Sequence, residues 1–262
     1  MKTILCIKQV PESYTVHLDP VTNTLQRDKA ASVLNPFDLF ATEEAVRLKE
    51  RYGGSIYAFT MGIPAASKVL KEAMSMGADG GFLLSDRQFA GADTLATAYT
   101  LAQGIQKQGS FDLVICGRMA TDGDTAQVPP ILAEFLGIPA LTDVCSIISI
   151  KDGFIRCRRM GDDHYSIWEM KLPALITVTK EINVPRLPSI AGLRYAFDHP
   201  VTMWTAGDFP HLDKKRIGLQ GSATQVKRTF VPRHDISTRM IGGTPEQQAA
   251  ELVNEFIRLK II

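Results

Sequence analysis

The sequence has few of the features that announce a chemistry directly. Only four of its 262 residues are cysteine (Cys6, Cys116, Cys145 and Cys157), and they lie far apart, in neither metal-ligand nor redox-dithiol spacing. They read as buried free thiols of a reducing compartment. The five histidines show no ligand pairing, so no metal is expected. Charge of one sign is missing as well: 29 Lys and Arg against 28 Asp and Glu leave a formal +1. That balance excludes the basic field expected of a nucleic-acid binder. No apolar run reaches the length of a membrane span. The opening Met1-Lys2-Thr3-Ile4-Leu5-Cys6-Ile7-Lys8 is broken by Lys8 and has no small-residue cleavage site, so it reads as a first strand and not as a signal peptide. A cytoplasmic location is expected. Walker A and G-x-G-x-x-G loops are absent, which excludes the commonest phosphate-binding signatures.

What is present is a regular alternation of strand and helix. Thr3 to Val10 is a β-rich run ending at Pro11, and a turn is expected near Asp19-Pro20. Asn35-Pro36-Phe37-Asp38 predicts a helix start: Asn35 can cap, Pro36 suits the first helical position and Asp38 completes a box-like pattern. Phe37, Phe40, Ala41, Ala45 and Leu48 form its apolar stripe, and Gly53-Gly54 ends it. Ser55–Met61, Gly81–Leu84 and Asp112–Cys116 read as further buried strands. Helices are predicted from Pro64 to Gly77, from a cap at Asp93 to about Gln108, and from the Gly117–Gln127 turn to Gly137. Strands this apolar, separated by helices, predict an α/β fold with a doubly wound, mostly parallel sheet covered on both faces. After about residue 140 the rhythm changes. Phe154–Arg159 and Tyr165–Lys171 predict a small β hairpin, and Leu175–Thr179 a last buried strand. From Asn183, prolines 185, 188, 200, 210 and 232 interrupt any period. The expected division is a nucleotide-binding domain over 1–182 and, over 183–262, a loop and extended C-terminal arm laid on something else, with a short helix near Pro245–Leu259.

Ligands of such sheets sit beyond the carboxyl ends of the strands. That rule brings Lys8–Pro11, Met61–Pro64 and Arg118–Gln127 together. The best phosphate candidate is Gly117-Arg118-Met119-Ala120-Thr121-Asp122-Gly123-Asp124-Thr125-Ala126-Gln127-Val128, which leaves a buried strand, turns and enters a helix. Free N–H groups and the helix dipole favour an anion there, with Thr125 and Gln127 as added donors. Pro129 and Pro130 have no N–H, so the usable amides lie at Gly123 to Val128. Asp122 and Asp124 would repel a phosphate unless they cap the turn or point away. From the residues alone, an anion site and a simply capped strand–helix turn both stay open.

Several motifs in order resemble one family. Ile7-Lys8-Gln9-Val10-Pro11, then Asn35-Pro36-Phe37-Asp38 with Thr42-Glu43-Glu44-Ala45-Val46-Arg47-Leu48-Lys49-Glu50, then Met76-Gly77-Ala78-Asp79 and Lys171-Leu172-Pro173-Ala174-Leu175 are similar to the β subunit of electron transfer flavoproteins. The resemblance implies a Rossmann-like variant of the adenine-nucleotide α-hydrolase type. It also implies a ligand, either AMP or the adenylate part of FAD. Asp122-Gly123-Asp124-Thr125-Ala126-Gln127-Val128 looks like the loop of electron-bifurcating members, which points to FAD, although Pro129-Pro130 stands where those members carry Gly-Pro. By the same resemblance Cys6, Lys8, Asn35, Pro36, Phe37, Asp38, Met61, Asp93, Thr94 and Arg118 join the loop as cofactor-binding residues, with no catalytic side chain. Without it, Cys6 and Met61 would read as core, and Asn35 and Asp38 as caps.

Arg186-Leu187-Pro188-Ser189-Ile190 resembles the family's recognition loop, so Leu187, Pro188 and Ile190 are expected to contact a partner dehydrogenase. Gly221–Val226 resembles a segment near the flavins. The implied partners are an α subunit, an acyl-CoA or 2-hydroxyacid (lactate) flavin dehydrogenase, NAD(H) and ferredoxin or a similar acceptor. Two rivals are a nucleotide-sensing, stress-type binding module and an ATP-cleaving enzyme. The first leaves the proline-punctuated arm unexplained, and the second lacks a P-loop.

Overall fold

The computed structural model describes residues 1–12, 32–227 and 238–262. The expected turn at Asp19-Pro20, and Pro232, lie outside the described residues. The chain forms two compact units, Met1–Gln225 and Val226–Ile262.

In the first unit, β1 (Lys2–Cys6) is followed by a short antiparallel pair, β2 (Gln9–Pro11) and β3 (Ser32–Leu34). Then come α1 (Pro36–Tyr52), β4 (Ser55–Met61), α2 (Ser67–Met76), β5 (Gly80–Leu84), α3 (Thr94–Gln108), β6 (Leu113–Gly117) and α4 (Val128–Leu136). They are followed by β7 (Ala140–Lys151), β8 (Phe154–Met160), β9 (Tyr165–Lys171), β10 (Ala174–Val178), α5 (Ile190–Asp198) and β11 (Thr202–Trp204). Among the described residues nine strands make one sheet, ordered β11-β5-β4-β1-β6-β10-β7-β8-β9. From β11 to β7 every pair is parallel, while β8 and β9 join antiparallel at one edge.

The central strands are buried on both faces, as their uninterrupted apolar sequences require. Ile4, Phe59, Leu84, Val114 and Leu175 pack towards α3 and α4. Leu5, Ile56, Leu83, Ile115 and Ile176 pack on the other face, towards α1 and α2. From β1 the chain builds β4 and β5 on one side, then crosses to β6 and β10 on the other. The order therefore reverses between β1 and β6, and the carboxyl ends of these two strands diverge into a crevice.

The expected α/β fold with its mostly parallel sheet is present, and the 154–171 hairpin extends that sheet. Four elements were not foreseen, the three-residue β3 among them. The long β7 is masked in sequence by Thr142-Asp143 and by Ser146 and Ser149. Its register shifts against both neighbours, and Asp143 takes a φ of 58° at one shift. Helix α5 is hidden by flanking prolines and by Gly192, and β11 is only three residues long. Because α5 lies on α2 and β11 pairs with β5, the first unit runs to Gln225 and the division falls well after residue 183.

The second unit contains the expected short helix, α6 (Pro245–Arg258), and a Thr244–Gln247 capping box opens it. Within it Arg239 pairs with Glu251, and Leu252, Val253 and Ile257 are exposed. Among the described residues no helix is long and apolar enough to cross a membrane.

Helix α5 approaches α2 so closely that a Cβ on Gly192 would lie 2.0 Å from the Ser75 carbonyl oxygen. Gly192→Ala should therefore force the helices apart and lower stability by about 1–3 kcal/mol, read by urea denaturation. An unchanged midpoint would show that α5 does not pack as described.

Candidate functional site

The crevice at the strand switch opens into a cavity of about 380 Å³. Its construction begins at the end of β1. Lys8 N–H donates to Asp38 Oδ2 at 2.7 Å, and Asn35 N–H donates to Lys8 O at 2.9 Å. Asn35 then reaches across to the β6 loop: its Nδ2 donates to Met119 O at 2.9 Å and its Oδ1 accepts from Thr121 N–H at 3.2 Å. The capping roles expected of Asn35 and Asp38 are thus replaced. Asn35 sits at the N-cap position, but its side chain makes no cap bond to α1. Both residues instead tie the ends of β1 and β6 to the start of α1. Gly117 is required by this close approach, since a Cβ there would lie 2.4 Å from Asp38 Oδ1 and 2.7 Å from the Phe37 carbonyl carbon.

Burial pushes the Asp38 carboxyl up to about 7, against the Lys8 N–H, the Asn35 side chain, the Gly117 N–H and the Lys8 ammonium, all of which pull it down. Lys8 Nζ meets Asp122 Oδ1 at 2.6 Å over the mouth, so the repulsion that Asp122 would exert on an anion is offset there.

The loop after β6 has the features of an anion cradle. Asp124 and Ala126 take φ of 49° and 52°, a left-handed conformation that costs non-glycine residues free energy and clusters at ligand sites. Among the described residues, no acceptor meets the N–H groups of Thr125, Ala126, Gln127 and Val128, which stand at the start of α4. Pro129 and Pro130 fall within the first helical turn, where N–H groups have no intrahelical partner anyway, so they remove little. Gln127 Oε1 accepts from Thr94 Oγ1 at 2.9 Å, which ties the cradle to α3.

The opposite wall is built on Asp93, which caps α3 as the sequence predicts by accepting from Leu95 and Ala96 N–H at 3.0 and 3.1 Å. Its other oxygen accepts from Thr224 N–H and Oγ1, and Ser222 Oγ accepts from Asp93 N–H. Burial would raise the Asp93 pKa, but the Ala96 and Thr224 donors outweigh it and hold the carboxylate below its usual range. The Ser222–Thr224 stretch, singled out in the sequence, is in this way fixed at the rim.

Of the residues expected here, Cys6, Lys8, Asn35, Asp38, Met61, Asp93, Thr94, Gly123, Thr125, Ala126, Gln127 and Val128 line the cavity. Five do not. Pro36 and Phe37 form the first turn of α1, with only the Phe37 backbone pressed on Gly117. Asp122 and Asp124 stand at the exposed rim. Arg118 turns away, its Nε meeting Asp143 Oδ1 at 2.9 Å. Thr97, Leu101 and Cys116 were missed. The first two follow Thr94 at helical spacing on α3, a signal the sequence did carry. Cys116 is the register partner of Cys6 on the neighbouring strand, a pairing that their distance along the chain conceals. The Cys6 thiol and burial together push the Cys116 thiol well up, which keeps it an apolar floor group and not a nucleophile.

Asp38 gives a pH prediction. Its folded pKa lies above the unfolded one, so it takes up a proton on folding; its contribution to stability is full in acid and is lost as pH rises towards about 7. Asp38→Asn does not titrate, and its melting temperature should gain on the parent's between pH 4 and pH 8. A constant difference between the two across that range would show that the carboxyl stays ionised.

Comparison with known proteins agrees with this geometry. Residues 22–208 match the electron transfer flavoprotein domain. The chain is 44% identical over 255 residues to the electron transfer flavoprotein subunit beta of Clostridium acetobutylicum, covering 97% of both chains. It is 43% identical over 251 residues to the caffeyl-CoA reductase-Etf complex subunit CarD of Acetobacterium woodii, covering 95% of both. With Protein FixA of Bradyrhizobium diazoefficiens it shares 39% over 260 residues, 97% of this chain and 90% of the other. A sheet with its cavity at the β1–β6 switch, and likeness over nearly the whole length, mark the chain as a member of the electron transfer flavoprotein family, on its β-subunit branch.

Proposed function

We propose that this chain is the β subunit of an electron-bifurcating electron transfer flavoprotein and that its cavity holds the adenylate part of FAD. The observation that carries the reading is the cradle at Thr125–Val128, with unpartnered N–H groups at a helix start and left-handed backbone at Asp124 and Ala126. A phosphate is the group such donors suit best. The Asp122–Val128 sequence, which resembles that of bifurcating members, supports FAD as the nucleotide. A relative whose name places it in a caffeyl-CoA reductase–Etf complex supports a place in an assembly of that kind.

When bound, FAD supplies two-electron exchange with NAD(H) and single-electron exchange with other acceptors. The protein's part is binding and exclusion of water. The N–H groups of residues 125–128 and the Lys8 ammonium would hold the phosphates, with the Gln127 amide as a further donor. Cys6, Met61, Leu101 and Cys116 give an apolar floor suited to a purine. Asn35 and Asp38 hold β1 and the β6 loop at the separation the ligand needs. AMP stands as a second reading, because a cavity of about 380 Å³ suits a mononucleotide and both ligands carry the adenylate group.

In this reading an α subunit receives the C-terminal part of the chain, whose helix α6 leaves Leu252, Val253 and Ile257 exposed. A flavin dehydrogenase of acyl-CoA or 2-hydroxyacid type docks at Leu187, Pro188 and Ile190, and ferredoxin or a similar carrier takes the other electron.

Nucleotide released from the purified complex decides between the readings: FAD without AMP is expected, and AMP at one per β chain would replace the first reading with the second. In the loop, Thr125→Val combined with Gln127→Leu should weaken nucleotide binding by about 1.5–3 kcal/mol for each phosphate hydrogen bond lost. Isothermal titration showing parental affinity would remove the Thr125 and Gln127 side chains from the site.

A further inference from the structure

After β10 the chain is fastened to α1 before it emerges at the surface. Asn183 Nδ2 donates to Phe40 O and to Glu44 Oε2, both at 3.0 Å. Arg186 then makes a denser set of bonds. Its backbone N–H and Nε donate to Glu43 Oε2 at 3.1 and 2.8 Å, and its Nη2 donates to Glu43 Oε1 at 3.2 Å. Nη1 and Nη2 also reach the two oxygens of Glu50, at 2.5 and 3.0 Å. The Glu43 side chain is only 2% exposed, and Arg47 Nε adds a further bond to it at 2.6 Å. Burial works to raise the Glu43 pKa, but Arg186 and Arg47 outweigh it, so the carboxylate stays ionised.

Three residues later the chain is fixed a second time. Ser189 caps α5, accepting from Gly192 N–H at 2.9 Å, and Gly192 is seated against the Ser75 carbonyl. Between and beyond these two fixed points Leu187 and Ile190 are each 88% exposed, and Phe197, on the same side of α5 as Ile190, is 87% exposed, with the Arg194 side chain exposed between them. An ion pair around a buried carboxylate is weak evidence of stabilisation, because desolvation consumes most of the attraction. Apolar side chains held in water contribute nothing to the fold either. Together the two features are what a docking surface requires, since ordering done in the free protein is not charged again on association.

We propose that Arg186 is a positioning residue: by bridging Glu43 and Glu50 it holds Leu187 in the conformation that docks onto the flavin dehydrogenase. This rests on the reading of Leu187 as a dehydrogenase contact, and the experiment separates the two.

The complete complex, carrying its bound nucleotide, is assayed with a purified acyl-CoA dehydrogenase and a purified FAD-linked 2-hydroxyacid dehydrogenase, using whichever exchanges electrons with the parent. Arg186→Lys keeps the charge but loses the fork. It should raise the dehydrogenase's KM for the flavoprotein about tenfold, leaving kcat and nucleotide content at parental values. Leu187→Ala should raise KM as well, and the double variant should be no worse than Leu187→Ala alone, because both changes remove one contact. Glu50→Gln leaves the buried Glu43–Arg186 pair intact and should shift KM in the same direction, so the result stands even if Arg186→Lys folds poorly. A parental KM in both Arg186→Lys and Glu50→Gln overturns the positioning role while leaving the Leu187 contact in place. Effects of Arg186→Lys and Leu187→Ala that simply multiply overturn it too. A parental KM for Leu187→Ala, or exchange with neither dehydrogenase, removes the docking reading and this inference with it.

Discussion

The site depends on one buried carboxyl. Asp38 lies where β1 ends, α1 begins and β6 turns, and it receives the Lys8 N–H while pressing against Gly117. A carboxyl in that position is expensive to ionise, and its pKa rises to about 7 accordingly. In exchange, three chain segments that sequence separates widely are held within one hydrogen-bonded cluster. Asn35 completes it by reaching Met119 and Thr121. If this cluster loosened, the β6 loop would lose its anchor and the N–H groups of residues 125–128 would no longer converge.

From that cluster outward the chemistry divides by face. The side of the sheet packed on α3 and α4 carries the cavity, with an apolar floor from β1, β4 and β6 and a polar rim from the starts of α3 and α4. The side packed on α1, α2 and α5 carries the Glu43–Arg186 bridge and the exposed apolar residues beyond it. Alternation of side chains along β1 is the physical link: Cys6 looks into the cavity while Leu5 packs beneath α1. A nucleotide site and a docking surface can therefore occupy opposite faces of one sheet with a shared rigid core between them.

The family's β-subunit membership and the cradle geometry support one division of labour. In the reading proposed above, the protein would bring donors, an apolar floor and exclusion of water, and a bound nucleotide would bring the electron chemistry. Cys116, the strongest nucleophile by type, is held as a thiol by Cys6 and by burial.

Much of this was legible in the sequence because local rules suffice for it. Apolar strands bounded by Gly and Pro, the Asp93 cap and the Gly117–Val128 strand–helix turn each follow from a few adjacent residues, and together they imply the parallel sheet and its carboxyl-end site. Tertiary structure decided whatever depends on residues distant in the chain. The Cys6–Cys116 pairing depends on which strands are neighbours, and the turning of Arg118 to Asp143 on the position of a shifted strand. Asn35 abandoned its cap because a loop 84 positions away offered better partners. Helix α5 and strand β11 have too little periodicity to declare themselves, and they form because α2 and the β5 edge give them surfaces to bury against. Propensity and period are properties of a window, whereas burial and hydrogen-bond satisfaction are properties of the folded whole.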